Sequence, residues 1–142
     1  MHSKVQPSWI QKYVGLKFGD KGRGPDEFDC WGLVRWIYMQ EFKVVLPDYL
    51  AGYSAVTDDI GVERTVLTGR DDGWSKVDKA EPGAAVLFNI YGRPIHIGIA
   101  TWGDYFLHSP EGDFSRQERL SDRMWRNRIE GFYVHRLVSG RS

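Results

Sequence analysis

The sequence predicts an α+β fold in which helices pack on one side of an antiparallel sheet. Helical periodicity is confined to the first half of the chain, and short alternating segments follow Pro82 and Gly83 in the second half. Because the helices precede the strands instead of alternating with them, an antiparallel sheet is favoured over a parallel one. The chain has 142 residues, 42% of them hydrophobic, which suffices for one core, so we predict a single domain over residues 1–142.

The first predicted element is a short helix near the start of the chain. Ser8 is placed to cap it, and Gly15 is placed to end it. Its apolar face consists of Trp9, Ile10, Tyr13 and Val14. A glycine-rich loop follows at 19–25, too rich in glycine for regular structure.

The main predicted helix begins at the only cysteine of the chain, Cys30, and runs to about Phe42. Asp29 is a good N-cap for it, which places Cys30 in the first helical turn. The residues that recur at helical spacing are Leu33, Val34, Ile37, Tyr38 and Phe42. A weaker helix is predicted over 53–67, ending at Gly69.

Four strands are predicted in the second half of the chain. They cover 84–90, 95–101, 105–109 and 129–138, with turns between them. The segment 116–128 contains five arginines and Trp125, and we interpret it as a solvated, partly helical connection. The alternative is that it forms a surface for an anion or a partner protein.

Cys30 is a candidate nucleophile because of its place in the chain. The thiolate is the reactive form of cysteine, and the first turn of a helix favours this anion. The unpaired backbone N–H of Cys30 is also a candidate donor to an oxyanion. The alternative is that Cys30 is a small buried hydrophobic residue.

His96 lies on one face of a predicted strand beside two small residues. Ile95, Ile97 and Ile99 alternate with His96, Gly98 and Ala100. We expect the helix of Cys30 to lie against the face with the small residues, which would bring the thiol to the imidazole.

His108 follows His96 by twelve residues, and the turn between the two strands decides whether both imidazoles share a face. A two-residue turn at 103–104 pairs Trp102 with Tyr105 and places His108 on the opposite face.

A three-residue loop at 102–104 instead pairs Thr101 with Tyr105, and it moves His108 to the face of His96. The two histidines are then diagonal neighbours, about 7–8 Å apart at Cα. We therefore predict the three-residue loop.

With that register, His96 is the base toward Cys30, and His108 fixes the tautomer and orientation of His96. His2 and His135 receive no role. The alternative for the same three side chains is a tetrahedral zinc site completed by water.

Composition excludes several function classes. Lysine plus arginine and aspartate plus glutamate both number 19, so neither a nucleic-acid partner nor an acidic tail is indicated. One cysteine forms no internal disulfide, and no apolar run approaches the length of a membrane span. The first residues lack the apolar core of a signal peptide, so we expect a chain made in the cytoplasm that needs another route to act outside.

The motifs resemble those of the NlpC-type cysteine peptidases of bacterial cell walls, a papain-related group in which an Asp-Cys-x-Gly motif opens a helix. The resemblance spans about residues 15–108. It rests on Phe28-Asp29-Cys30-Trp31-Gly32-Leu33-Val34, then Pro82-Gly83, then His96-Ile97-Gly98-Ile99, then Phe106-Leu107-His108.

The resemblance implies a papain-like fold and hydrolysis of an amide in the peptide stem of peptidoglycan, often after γ-D-glutamate and before a diamino acid. It implies no cofactor and no metal. Asp29, Trp31 and Phe18 occupy positions that the family places near substrate or oxyanion. Two of them depart from the family, because Trp31 replaces a common Ser, and Phe18 replaces a Tyr whose hydroxyl lies near the nucleophile in relatives.

Two further stretches look most like the tail-associated peptidases of bacteriophages and prophages. They are Asp-Cys-Trp-Gly-Leu-Val-Arg at 29–35 and the segment 128–133. This resemblance implies phage tail proteins as partners and a virion that carries the enzyme to the wall. The alternatives are a non-catalytic tail or wall-binding component with the same fold, and transacylation to an added amine instead of hydrolysis.

Overall fold

The computed structural model describes residues 6–138 and contains two α-helices and a six-stranded antiparallel sheet. After a 3₁₀ turn at Ile10–Tyr13 the helices are α1, Cys30–Phe42, and α2, Asp59–Arg70. The strands are β1 Trp74–Val77, β2 Ala85–Ile90, β3 Arg93–Trp102, β4 Tyr105–His108, β5 Arg116–Arg119 and β6 Ile129–His135. Their order across the sheet is β1-β6-β2-β3-β4-β5.

Both helices pack on one face of the sheet, as predicted. The apolar stripe of α1 contacts Ile99 of β3 and Leu107 of β4, and Val66 of α2 lies against Leu87 and Tyr133. The antiparallel α+β architecture is therefore confirmed.

The opposite face of the sheet is covered by the segment that follows β5. Leu120 and Trp125 pack there against Phe88 of β2 and Phe106 of β4. Each face of the sheet thus has its own apolar cluster, and the sheet separates the helices from Trp125.

Several boundaries differ from the prediction. The short first helix is a 3₁₀ turn without a side-chain cap, so Ser8 does not cap it. Helix α2 begins at Asp59 instead of residue 53, because the Asp58 carboxylate accepts the N–H of Gly61 and starts the helix there. Strand β1 is not among the predicted strands; it is short, and its backbone is held by pairing with β6.

The segment 116–128 is not a partly helical connection throughout, because it opens with β5. This strand pairs with β4 along its whole length, with His108 opposite Arg116 and Phe106 opposite Glu118. Its charged side chains are tolerated because β5 is an edge strand.

The hairpin between β3 and β4 differs from the prediction at its turn. Trp102 pairs with Tyr105, so the predicted pairing of Thr101 with Tyr105 is wrong. A register shift lies between Ala100 and Trp102, and Thr101 is the extra residue of a β-bulge at this point.

The bulge then restores the register that the three-residue loop was expected to give. Ile99 pairs with Leu107, and a Cβ added to Gly98 would lie 3.2 Å from the Cβ of His108. His108 therefore shares the face of His96 because of the bulge and not because of the loop length.

Candidate active site

Cys30 is the first residue of α1, as predicted, and Asp29 is its N-cap. The Asp29 carboxylate accepts the backbone N–H of Gly32 at 2.7 Å. Gly32 has no side chain because the loop before the helix runs against it: an added Cβ would lie 1.9 Å from the carbonyl oxygen of Gly22. The Asp-Cys-x-Gly sequence is thus explained by one cap and one close approach of the backbone.

Asp29 is buried and holds two loops to the start of the helix. Only 1% of it is exposed. Its carboxylate accepts a charged hydrogen bond from Arg23 Nη1 at 2.8 Å and another from the Tyr53 hydroxyl. Arg23 also donates to Tyr53 and to the carbonyl oxygen of Asp48. These contacts fix the position of the Cys30 backbone, and they engage both oxygens of the Asp29 carboxylate.

Cys30 and His96 line the same cleft, which contains a cavity of about 110 Å³. Its walls are formed by α1, α2 and the sheet, and most of the lining is apolar or aromatic. The aromatic lining residues are Trp31, Tyr49, Tyr53, Trp74 and Tyr133. The charged lining residues are Asp29 and Arg70, and the Arg70 guanidinium lies 2.7 Å from the Glu130 carboxylate.

The thiol of Cys30 is protonated in the free protein at neutral pH. Burial and the neighbouring Asp29 carboxylate raise its pKa to about 12, against the opposing effect of the backbone N–H groups of Ile97 and Trp31. The sequence predicts that the helix start favours the thiolate, and in the structure burial outweighs that effect. Any reaction in which Cys30 is the nucleophile would therefore require a base to remove the thiol proton.

Helix α1 does not lie on the face of β3 that was expected. It packs on Ile99, on the face opposite to His96. The thiol nevertheless interacts with the N–H of Ile97, the residue next to His96. Cys30 therefore approaches the backbone of β3 beside the imidazole.

Gly98 makes room for β4 instead of for the helix. An added Cβ would lie 2.9 Å from the carbonyl oxygen of Leu107 and 3.1 Å from the ring of Phe106. This close approach of β4 to β3 is what allows the imidazoles of His96 and His108 to meet.

The imidazoles and a carboxylate form a continuous chain of hydrogen bonds. His96 Nε2 lies 2.8 Å from His108 Nδ1, and His108 Nε2 lies 2.5 Å from Glu118 Oε2. His108 is completely buried, whereas the Glu118 side chain is 21% exposed. This line of hydrogen bonds therefore ends at an acidic group, Glu118, near the surface.

Glu118 was not identified from the sequence, although a signal was present. Arg116 and Glu118 are two residues apart in a segment without helical periodicity, which is the spacing of one face of a strand. The interpretation of segment 116–128 as a solvated connection does not place Glu118 next to His108.

Aromatic rings enclose the two histidines. The indole of Trp125 stacks on His96 with centroids 5.8 Å apart and lies edge-on to His108 at 5.1 Å. The rings of Phe88 and Phe106 complete the enclosure. Burial and the neighbouring His108 lower the pKa of His96 to about 3, and burial lowers the pKa of His108 although Glu118 opposes that effect. Both imidazoles are therefore neutral at pH 7.

The remaining predicted residues lie in different surroundings. Trp31 lines the cleft, and its indole donates to the carbonyl oxygen of Pro47. Phe18 forms an isolated bridge with Phe28 and is not among the residues that line the cleft. His135 packs edge-on against Trp74. His2 lies outside the described residues.

Residues 6–138 contain neither a side-chain cluster suited to a metal ion nor a helix suited to crossing a membrane. Within this range, no group of three or more His, Cys, Asp or Glu side chains is arranged to hold a metal ion. Neither helix of the same range combines the length and apolarity that crossing a membrane requires.

Comparison with known proteins gives a family match and two curated relatives. The model of the NlpC/P60 family matches residues 15–134. Protein P54 of Enterococcus faecium is 24% identical over 100 residues, which are 70% of this chain and 16% of that protein. The gamma-DL-glutamyl hydrolase of Bacillus subtilis strain 168 is 26% identical over 124 residues, which are 85% of this chain and 26% of that protein. The chain thus spans about a quarter or less of these relatives.

Solved structures share the fold. The NlpC/p60 domain of the peptidoglycan hydrolase SagA matches with a TM-score of 0.60 at 21% identity, covering 87% of this chain and 90% of that one. A Staphylococcus aureus protein described as similar to lipoprotein, NLP/P60 family, matches with a TM-score of 0.60 at 23% identity, covering 86% and 37%. NlpC1 from Trichomonas vaginalis matches with a TM-score of 0.62 at 17% identity, covering 88% and 42%. The fold expected from the motifs is therefore confirmed.

Proposed function

Since the chain belongs to the NlpC/P60 family, we propose that it is a cysteine hydrolase that cleaves an amide bond in the peptide stem of bacterial peptidoglycan. One observation carries this proposal: a capped helix start presents Cys30 to the same cleft as His96, and His96 is hydrogen-bonded to His108. Nucleophile, base and orienting group are the three parts that nucleophilic acyl transfer needs.

The hydrogen bond to His108 leaves one nitrogen of His96 for the proposed role of base. Nε2 is bonded to His108, so Nδ1 is the ring nitrogen left for the thiol. His96 Nδ1 takes the proton of Cys30 while the sulfur attacks the amide carbonyl carbon. The backbone N–H of Cys30, in the first helical turn, is the proposed donor to the oxyanion.

The two half-reactions balance without a further group. The tetrahedral intermediate collapses, the C–N bond breaks, and the proton on His96 passes to the leaving amine. Water then attacks the thioester and gives its proton to His96. The C–S bond breaks, the acid product leaves, and the thiol recovers its proton.

The cleft suits a peptide more than a sugar or a nucleotide. Its lining is mainly apolar and aromatic, and its cation, Arg70, is already paired with Glu130. The names of two relatives support the substrate class, one a gamma-DL-glutamyl hydrolase and one a peptidoglycan hydrolase. We propose a bond after γ-D-glutamate and before a diamino acid.

Mass spectrometry of purified peptidoglycan fragments tests the hydrolase. Wild type is expected to produce new stem-peptide termini, and Cys30→Ala is expected to produce none. Cys30→Ser serves as the matched control, because it keeps nearly the size of the side chain but replaces the sulfur with a weaker oxygen nucleophile. Equal amounts of product from wild type and Cys30→Ala would refute the proposed nucleophile. Wall binding without cleavage by either would favour the non-catalytic alternative, and products joined to an added amine would identify transacylation.

We further propose that the protein acts as a tail-associated enzyme of a phage or prophage, carried by the virion to the wall. The support is the sequence at 29–35 and 128–133, which resembles the tail-associated peptidases. Mass spectrometry of virions purified on a density gradient after prophage induction tests this. Peptides of this chain are expected in the same band as tail proteins, and their absence from complete particles would refute the association.

A further inference from the structure

Glu118 lies beyond His108 in the line of hydrogen bonds that starts at His96, and its carboxylate has three hydrogen-bond partners. Its Oε2 atom lies 2.5 Å from His108 Nε2 and accepts a hydrogen bond from Arg116 Nε at 3.2 Å. Its Oε1 atom accepts from the indole N–H of Trp125 at 3.0 Å. Arg116 Nε and Trp125 Nε1 can only donate, which suits an ionised carboxylate at Glu118.

The ionised state is also the favoured one energetically. Burial raises the pKa of Glu118, but the hydrogen bonds from Trp125, His108 and Arg116 outweigh burial and lower it. Arg116 is itself held by Asp113, 2.6 Å from its guanidinium. Glu118 therefore remains an acceptor throughout the neutral and mildly acidic range.

An acceptor at this position fixes the proton on each ring in turn. Because Glu118 only accepts, His108 Nε2 carries its proton, and His108 Nδ1 is left as an acceptor. His108 Nδ1 faces His96 Nε2 at 2.8 Å, so His96 Nε2 must donate. His96 Nδ1 is then unprotonated, and it is the nitrogen that would receive the Cys30 proton.

We propose that Glu118 is a fourth member of the relay, a positioning residue that sets the tautomers of His108 and His96 and so keeps the base nitrogen of His96 free for Cys30. Its effect on catalysis rests on the proposed hydrolase function, whereas its effect on the tautomers does not. Without the carboxylate, His108 can place its proton on Nδ1 and donate to His96. His96 Nδ1 would then carry a proton toward the thiol and no longer act as a base.

The surroundings of His108 explain why water does not replace Glu118 as the hydrogen-bond partner of His108 Nε2. His108 is completely buried, and Trp125 covers both rings while donating to Glu118. Phe106 lies against the His108 ring at 4.9 Å. In such an enclosure the partner at His108 Nε2 is the carboxylate and not exchanging water.

The test is to determine the tautomers of His96 and His108 by two-bond ¹H–¹⁵N NMR of protein labelled with ¹⁵N-histidine. Protonated and unprotonated ring nitrogens resonate far apart in such spectra. Signals of His2 and His135 are identified by their loss in His→Gln variants at those two positions. In wild type, both His96 and His108 are expected to be protonated at Nε2 and unprotonated at Nδ1. A protonated Nδ1 on either ring of the neutral wild type would overturn the proposal.

Glu118→Leu removes the acceptor and keeps much of the bulk. We expect a second tautomer to appear on His96 and His108, and kcat to fall about 10²-fold or more with KM nearly unchanged. Unchanged single tautomers in this variant would refute the proposal. Glu63→Leu is the matched control, because it removes a carboxylate that pairs with Arg93 on the surface and touches no histidine.

Glu118→Gln covers the case in which the leucine variant does not fold. Its one oxygen must serve both Trp125 and His108, so we expect mixed tautomers here too, and wild-type tautomers in the folded variant would refute the proposal. A wild-type protein with the expected tautomers but no activity on peptidoglycan fragments would refute the hydrolase and leave the role of Glu118 intact.

Discussion

Asp29→Asn separates two roles of a single buried carboxylate. Asn keeps an oxygen for the N–H of Gly32, so the helix cap remains. It loses the charge that faces Arg23, whose side chain is only 10% exposed. Removing one partner of a buried ion pair costs about 3–5 kcal/mol, because the other charge is left without compensation.

The expected cost is at the lower end of that range, because Arg23 keeps its hydrogen bonds to Tyr53 and to the carbonyl oxygen of Asp48. About 3 kcal/mol corresponds to a decrease in Tm of roughly 10 °C for a chain of this length. Differential scanning calorimetry measures it. Asp58→Asn is the control, since Asp58 caps α2 in the same way but has no buried cation, and its Tm is expected to change little.

The same substitution is expected to make the thiol more reactive. The Asp29 charge is the second cause, after burial, of the raised pKa of Cys30. Its removal lowers that pKa and increases the thiolate fraction at pH 8. Iodoacetamide labelling at 10 °C, well below the melting transition, should therefore be faster in Asp29→Asn than in wild type.

Two results would refute this reasoning. Equal losses of Tm in Asp29→Asn and Asp58→Asn would show that the Arg23 ion pair contributes nothing beyond the cap. Unchanged labelling of Cys30 would show that the Asp29 charge does not act on the thiol. A double variant with Arg23→Met should recover part of the lost Tm, because the uncompensated cation is gone.

Three further outcomes follow from single contacts. Gly32→Ala brings a Cβ to 1.9 Å from the Gly22 carbonyl oxygen, so a loss of about 3 kcal/mol or more is expected in urea unfolding, and a stability equal to wild type would contradict the close approach. Tyr38→Phe removes the buried hydroxyl that donates to the Gly83 carbonyl, which should cost about 1–2 kcal/mol in the same assay, and no loss would contradict that bond. The lowered pKa of His96, about 3, keeps this imidazole neutral in mild acid. With His96 as the proposed base, kcat/KM should therefore persist below pH 6.5, and an acid limb at 6.5 or above would contradict this.

The candidate site was predictable where the signals are local. Asp29 before Cys30 is a cap motif, and capping depends on hydrogen bonds within one helical turn. His96 among alternating isoleucines is a strand motif, because side chains of a strand alternate between faces. These patterns placed Cys30 at the start of a helix and His96 on a strand, and they gave the order of helices and strands, without reference to distant residues.

The predicted register at His108 is correct, but the structural cause that was expected for it is wrong. Loop length was expected to bring His108 to the face of His96, whereas a bulge at Thr101 does so. A bulge depends on how two strands fit the sheet on either side of them, and the sequence of one hairpin does not specify that fit.

By itself the sequence determined the helix start at Cys30, the strand of His96 and the antiparallel α+β class, since hydrogen bonding and alternation over a few residues set all three. Only the tertiary structure decided that α1 packs on the face opposite His96, that Glu118 ends the relay, and that burial keeps both Cys30 and His96 neutral. These features depend on which surfaces exclude water from one another. That exclusion is a property of the packed chain, because the partners lie far apart in sequence and each contributes only part of the enclosure.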